Sequence, residues 1–209
     1  MLITLEGIEG SGKTTQVKYI VEFFKKLGHK TIATREPGGT LVGKKIRGIL
    51  LDPENKDLCS IAELMLYCAD RVQHVEKVIL PALTSGNIVI CDRFADATMA
   101  YQGYARGLDP DIINSLHEII LGDMRPDITL LLDLEPGIGL ARAWKELDSG
   151  KRTVSEARFE KENILFHKKV REGYLKLASM EPDRFKIIDA SLDKIRVRDD
   201  IINILKSKI

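Results

Sequence analysis

The sequence predicts an α/β fold in which a five-stranded parallel sheet is flanked by helices. Three observations carry that prediction. Five short apolar runs recur along the chain, each is continuous rather than alternating, and stretches of helical periodicity separate them. A continuous apolar run is what a strand covered on both faces requires. Strands that alternate with helices imply right-handed crossovers in a doubly wound sheet. A chain of 209 residues, 44% hydrophobic, fills one such unit and falls short of two, so residues 1–209 read as a single domain.

Residues 2–6 form the first run and lead into Gly7-Ile8-Glu9-Gly10-Ser11-Gly12-Lys13-Thr14, with Thr15 and a helical pattern behind them. This is GxxxxGK(S/T) in the strand–loop–helix setting that the motif needs, which makes the fold a three-layer P-loop NTPase. Its glycines let backbone N–H groups turn inward, and those groups together with the helix N-terminus bind phosphate oxygens. Lys13 is placed to reach the β and γ phosphates of a triphosphate, and the Thr14 hydroxyl to ligate Mg²⁺. Val17, Ile20, Phe23, Phe24 and Leu27 then recur at helical spacing, and Gly28 follows where a helix would end. The motif alone does not separate kinases from GTPases, ATPases or helicases.

The second run, 31–34, passes into Thr34-Arg35-Glu36-Pro37-Gly38-Gly39-Thr40, a tight exposed turn in which Arg35 could face an anion. A helical pattern over 60–83 follows, and its Tyr67 and Arg71, four apart, share one face. Such a ring and guanidinium could read a base, or be a core tyrosine and a surface arginine. The third run, 88–91, ends at Asp92-Arg93-Phe94. An Asp there, opposite a P-loop, suits Mg²⁺ binding, and the next Arg can stabilise a phosphoryl group in transit. Thr98, Tyr101 and Gln102 add hydroxyl, ring and amide groups near the same sheet edge, where doubly wound folds collect ligands.

Helical patterns at 109–121 and 137–147 flank the fourth run, 128–134; those at 155–179 and 193–206 flank the fifth, 185–188. Lys151, Arg152 and Arg158 lie between two of these patterns in a segment, about 145–158, that could close over a triphosphate as a lid. A merely solvated basic loop has the same composition.

Composition excludes other classes. Lys and Arg number 32 against 31 Asp and Glu, so no general polyanion-binding surface for nucleic acid is expected. The cysteines, Cys59, Cys68 and Cys91, are odd in number and form no CxxC pair, which argues against disulfides and zinc. No apolar run approaches the ~18 residues of a membrane span and no leader pattern opens the chain, so a cytoplasmic protein without membrane contact is expected.

At this point the residues resemble the bacterial-type thymidylate kinases. The shared signatures are GIEGSGKTT at 7–15, TREPGGT at 34–40, AELMLYCADRVQH at 62–74, DRFADATMAYQG at 92–103 and RPDITLLLDL at 125–134, in the family's order across nearly the whole chain. The resemblance implies transfer of the ATP γ-phosphoryl group to dTMP with Mg²⁺, in a homodimer. It implies that Tyr67 stacks on thymine, that Arg71 contacts the base, and that Arg35 and Arg93 hold the acceptor phosphate beside Glu36 and Pro37. Tyr101 falls where the family selects deoxyribose, and Thr98 and Gln102 fall in its base-binding segment. Glu9 resembles the variant in which the lid supplies the catalytic arginine, which points to Arg158 and Arg152, and Arg142 is implied near adenine. Where the family usually has serine before Thr98, this chain has Ala97. Two rivals stay open: another nucleoside or nucleoside monophosphate kinase, and a P-loop regulator, although the base-reading NKxD signature of GTPases is absent.

Overall fold

The computed structural model describes residues 1–150 and 153–208. Lys151 and Arg152, expected in the lid, lie outside the described residues. Five strands, β1 (Leu2–Glu6), β2 (Thr31–Arg35), β3 (Ile88–Asp92), β4 (Ile128–Asp133) and β5 (Phe185–Asp189), form one parallel sheet in the order β2-β3-β1-β4-β5. Leu5 pairs with Asp92 and Arg35 with the same Asp92, so three strand ends come level at one edge. The strand order reverses direction at β1, between β3 and β4, which opens a crevice at the carboxyl end of β1.

Alternate residues of each strand serve opposite layers, as the period of two demands. Leu2, Val89 and Cys91 pack with Val75, Ile79 and Ala82. Ile3, Leu5 and Ile90 join the larger core, with Ile20 and Phe24 of α1 (Lys13–Lys26) and Ile201 of α9 (Lys194–Lys206). The expectation that every strand is covered on both faces holds for β1 and fails at the edges: Ala33 and Arg35 of β2 and Ile187 and Asp189 of β5 are exposed.

The pattern over 60–83 is realised as α3 (Ser60–His74), a π-helical turn (Val75–Ile79) and α4 (Leu80–Thr84). Pro81 explains the widened turn, because it lacks an N–H and crowds the carbonyl four residues earlier. After α5 (Ala95–Thr98) a second π-helical turn, Met99–Ala105, carries Tyr101 and Gln102. Two helices close to expectation are α6 (Pro110–Leu121) and α7 (Pro136–Asp148). The pattern at 155–179 is a short 3₁₀ turn (Val154–Glu156), an irregular stretch, and α8 (Ile164–Met180), whose start is set by the Asn163 side chain accepting from Phe166 N at 2.9 Å.

Besides the four-residue α5 and the π-helical turn behind it, one longer helix has no counterpart among the expected elements, α2 (Leu41–Leu51). Gly43 and Gly48 depress its propensity. The structure nevertheless needs Gly43, because a Cβ there would strike Asp70 Oδ1 on α3. Among the described residues no helix is long and apolar enough to cross a membrane.

Candidate active site

The loop between β1 and α1 is built by left-handed glycines: φ is 134° at Gly7, 69° at Gly10 and 92° at Gly12. Close packing adds a second constraint. A Cβ on Gly10 would run into the carbonyl of Gly139 on α7, and a Cβ on Gly139 would lie 2.5 Å from the carbonyl of Glu9. Lys13 is buried and folds back over the loop, its Nζ donating to Gly7 O at 2.9 Å, Ile8 O at 2.8 Å and Ser11 Oγ at 3.2 Å. Burial, with the Arg93 charge nearby, pulls its pKa from 10.5 down to about 8. An ammonium held by carbonyls at the mouth of a nest of N–H groups stands ready for an anion.

Thr14 Oγ1 donates to Asp92 Oδ2 at 3.0 Å, so the two residues expected to hold Mg²⁺ are adjacent. Arg93, the next residue, has φ 70°, the only positive φ outside glycine among the described residues. That conformation turns its guanidinium back across the P-loop. It donates to Glu9 Oε1 at 2.9 Å and to the Tyr174 hydroxyl at 3.1 Å, and lies 4.9 Å from the centre of the Tyr101 ring. Tyr101 also donates to Glu9 Oε1, at 2.6 Å. Burial raises the pKa of Glu9, but the opposing pull of the Arg93 guanidinium, aided by His167 and Lys13, holds its carboxyl well below the carboxylate range.

Beneath this turn sits Glu6, fully buried at the end of β1. It accepts from Phe94 N at 2.7 Å and from the Tyr174 hydroxyl at 2.7 Å, while the Phe94 carbonyl accepts from Arg71 at 3.0 Å. Side chains thus satisfy both backbone groups of the residue that follows the strained Arg93. Burial, reinforced by Asp96, lifts the Glu6 pKa from 4.5 to about 8. A carboxyl raised on folding favours the folded state below its unfolded pKa and loses that contribution as pH rises through the folded one. Stability therefore should decline between pH 4.5 and about 8, and Glu6→Gln should flatten that part of the profile in thermal melts. An unchanged slope in the variant would rule Glu6 out as its source.

One cavity of about 560 Å³ joins these groups, lined by Lys13, Thr14 and Thr15 of the P-loop and α1, by Asp92, Arg93 and Arg35 at the strand ends, and by Tyr67, Thr98 and Gln102. Glu36, Pro37, Arg71, Ala97 and Tyr101 line it too. Arg71 is buried by ties to Glu36 (2.8 Å), the Phe94 carbonyl and His117 Nε2 (3.1 Å). Burial and the Arg71 charge drive the His117 pKa from 6.5 down to about 3, so the ring stays neutral and can accept. Glu36 also bonds His74 Nδ1 at 2.9 Å, which anchors the turn after β2 to α3. Thr98 Oγ1 is buried on the cavity wall with no partner among the described residues, as a group awaiting a ligand would be.

Comparison with known proteins places this arrangement. A family model described as thymidylate kinase matches residues 5–201. The chain belongs to the thymidylate kinase family. It is similar to the thymidylate kinase of Desulforapulum autotrophicum, 52% identical over 203 residues that cover 97% of this chain and 89% of the relative. Another from Desulfosudis oleivorans is 54% identical over 190 residues, covering 91% and 89%. The crystal structure of thymidylate kinase from Ehrlichia chaffeensis superposes with a TM-score of 0.78 at 34% identity, covering 99% of this chain and 98% of that one.

Within this thymidylate kinase fold, Gly7, Ile8, Ser11, Arg142 and Arg158 among the expected residues stand apart from the cavity lining, the first three within the P-loop itself. Arg142 donates to Ala190 O at 2.9 Å and Ser191 O at 3.3 Å, on the loop after β5. Arg158 is buried against Glu63 Oε2 at 2.6 Å and Leu50 O at 3.0 Å. Arg47 on α2 does line the cavity, though no sequence signal marked it; it bonds Glu156 (2.8 Å) and the Pro37 carbonyl (3.1 Å). Glu6, Glu63 and Tyr174 were equally silent, since their partners lie far away in the chain.

Proposed function

We propose that the chain transfers the γ-phosphoryl group of ATP to the 5′-phosphate of dTMP, giving ADP and dTDP. The observation that carries this reading is that one cavity is lined by the P-loop, by Arg93 and Arg35, and by Tyr67, Thr98 and Gln102 together. A triphosphate seated on the loop amides would meet Lys13, and an acceptor monophosphate would meet Arg93 and Arg35. The protein then positions two nucleotides in line and neutralises charge, with no covalent intermediate.

Tyr67 supplies a ring for the base, kept in its neutral phenol form by burial and by Glu63. Arg71 and Gln102 address the base edge, and Tyr101 crowds the sugar. Arg158, and Arg152 outside the described residues, are the lid arginines of the reading, on segment 145–158 of a single kinase domain. Arg142, beside the loop after β5, is the residue the reading assigns to adenine. Thr14 and Asp92, with hard oxygens 3.0 Å apart next to the loop, fit a Mg²⁺ whose other ligands are water and phosphate. When bound, that ion would offset the negative charge of the phosphates.

The same reading makes the enzyme a cytoplasmic homodimer, which light scattering checks. Acceptor assays with ATP test the reaction: dTMP should be used in preference to UMP, dCMP and thymidine. Preference for thymidine or UMP would overturn the substrate.

A further inference from the structure

Glu63 does not line the cavity of the reaction proposed above, yet it is fully buried on α3 and its carboxylate is held by charged and amide groups. Its Oε1 accepts from Gln102 Nε2 at 2.8 Å, and its Oε2 from Arg158 at 2.6 Å. Arg106 lies 3.4 Å from each of the two oxygens. Arg106 is itself fastened to Glu162 at 2.6 Å and packs over the Phe166 ring at 4.6 Å, so the cluster is rigid from several sides. A carboxylate only accepts hydrogen bonds, whereas an amide has one face of each kind. Glu63 therefore dictates which way the Gln102 amide points: its NH₂ faces Glu63, and its oxygen is left for the cavity that Gln102 lines. Among the described residues no donor reaches that oxygen.

We infer that Glu63 is a positioning residue for acceptor specificity, fixing Gln102 as a hydrogen-bond acceptor toward the base edge. An acceptor there requires a donor at N3 of the pyrimidine. Arg71, which has only donors, lines the same cavity and requires an acceptor at position 4. A 4-oxo pyrimidine with N3–H meets both demands. A 4-amino pyrimidine presents a bare nitrogen at N3 and a donor at position 4, and is refused twice. Sites that leave a buried polar group unpaired against the wrong ligand discriminate far more strongly than apolar pockets do.

The inference rests on the reading that dTMP occupies this cavity, and the test separates the two. kcat/KM is measured for dTMP and for dCMP, with ATP, in the full chain and in Glu63→Gln and Glu63→Asp. Glu63→Gln lets the Gln102 amide turn either way, whereas Glu63→Asp keeps the charge for Arg158 and Arg106 and withdraws it from Gln102 by one methylene. In both, the preference for dTMP over dCMP should narrow by about tenfold or more, with thermal melts reporting that the fold persists. Gln102→Met, which leaves the Glu63 cluster whole, should narrow it as well. A dTMP to dCMP ratio unchanged in a folded Glu63 variant, or in Gln102→Met, overturns the inference. So does an equal loss for both acceptors, the mark of a structural role. A wild-type chain that does not phosphorylate dTMP overturns the underlying reading instead.

Discussion

Replacing Lys13 with alanine is expected to lower turnover about a thousandfold while the fold persists. The ammonium is the one side-chain cation held inside the P-loop, gripping the Gly7 and Ile8 carbonyls at 2.9 and 2.8 Å. Without it, the P-loop itself offers only its amides to the charge that builds on the transferring group. Loss of its loop hydrogen bonds should cost only about 1–3 kcal/mol in melts, small beside the kinetic effect. The lowered pKa of about 8 adds a second readout. ATP affinity, measured without acceptor, should weaken in the wild type as pH rises through that value and stay flat in the variant. Turnover within about tenfold of wild type would remove Lys13 from the mechanism.

Arg93→Ala is expected to damage both chemistry and stability. Arginines that clamp a transferring phosphoryl group contribute about 10³–10⁵ in rate, so kcat/KM for dTMP should fall by at least about a thousandfold. The same change leaves Glu9 buried with its strongest cationic partner gone, at a cost of about 3–5 kcal/mol. The sign with pH is set by Glu9, whose folded pKa lies below its unfolded value of 4.5. Its contribution is present above pH 4.5 and fades as pH falls, so wild type and variant should melt furthest apart near neutrality and converge in acid. Equal melting temperatures at neutral pH would show that the ion pair contributes nothing.

What the sequence reveals is whatever repeats or keeps a fixed local spacing. The β1 run, the P-loop and the Asp92-Arg93 pair are local, and the rule that ligands gather at the carboxyl ends of parallel strands assembles them without coordinates. Helix α2 escapes because Gly43 and Gly48 blur its period, although one of them is demanded by Asp70 on a neighbouring helix. The helical pattern expected over 155–179 starts as an α-helix only at Ile164, because in the stretch before it Ala157 and Phe159 are buried while Arg158 is turned inward to the Leu50 carbonyl. Glu6 and Tyr174 are bonded across a separation of 168 residues, and no periodicity records such a partnership. The groups that shape the site from behind are therefore the ones that only the folded chain displays.

The contact between Gly10 and Gly139 has a mechanical meaning. Backbone touches backbone there, so no side chain is present to yield. Helix α7 is pinned at that point, and its far end, at Asp148, opens into the proposed lid. Nine residues of helix make a lever arm of about 13 Å. A swing of the proposed lid would turn on a fulcrum that is the wall of the phosphate cradle itself, and force applied at one end of the helix would be delivered to the loop proposed to grip the nucleotide.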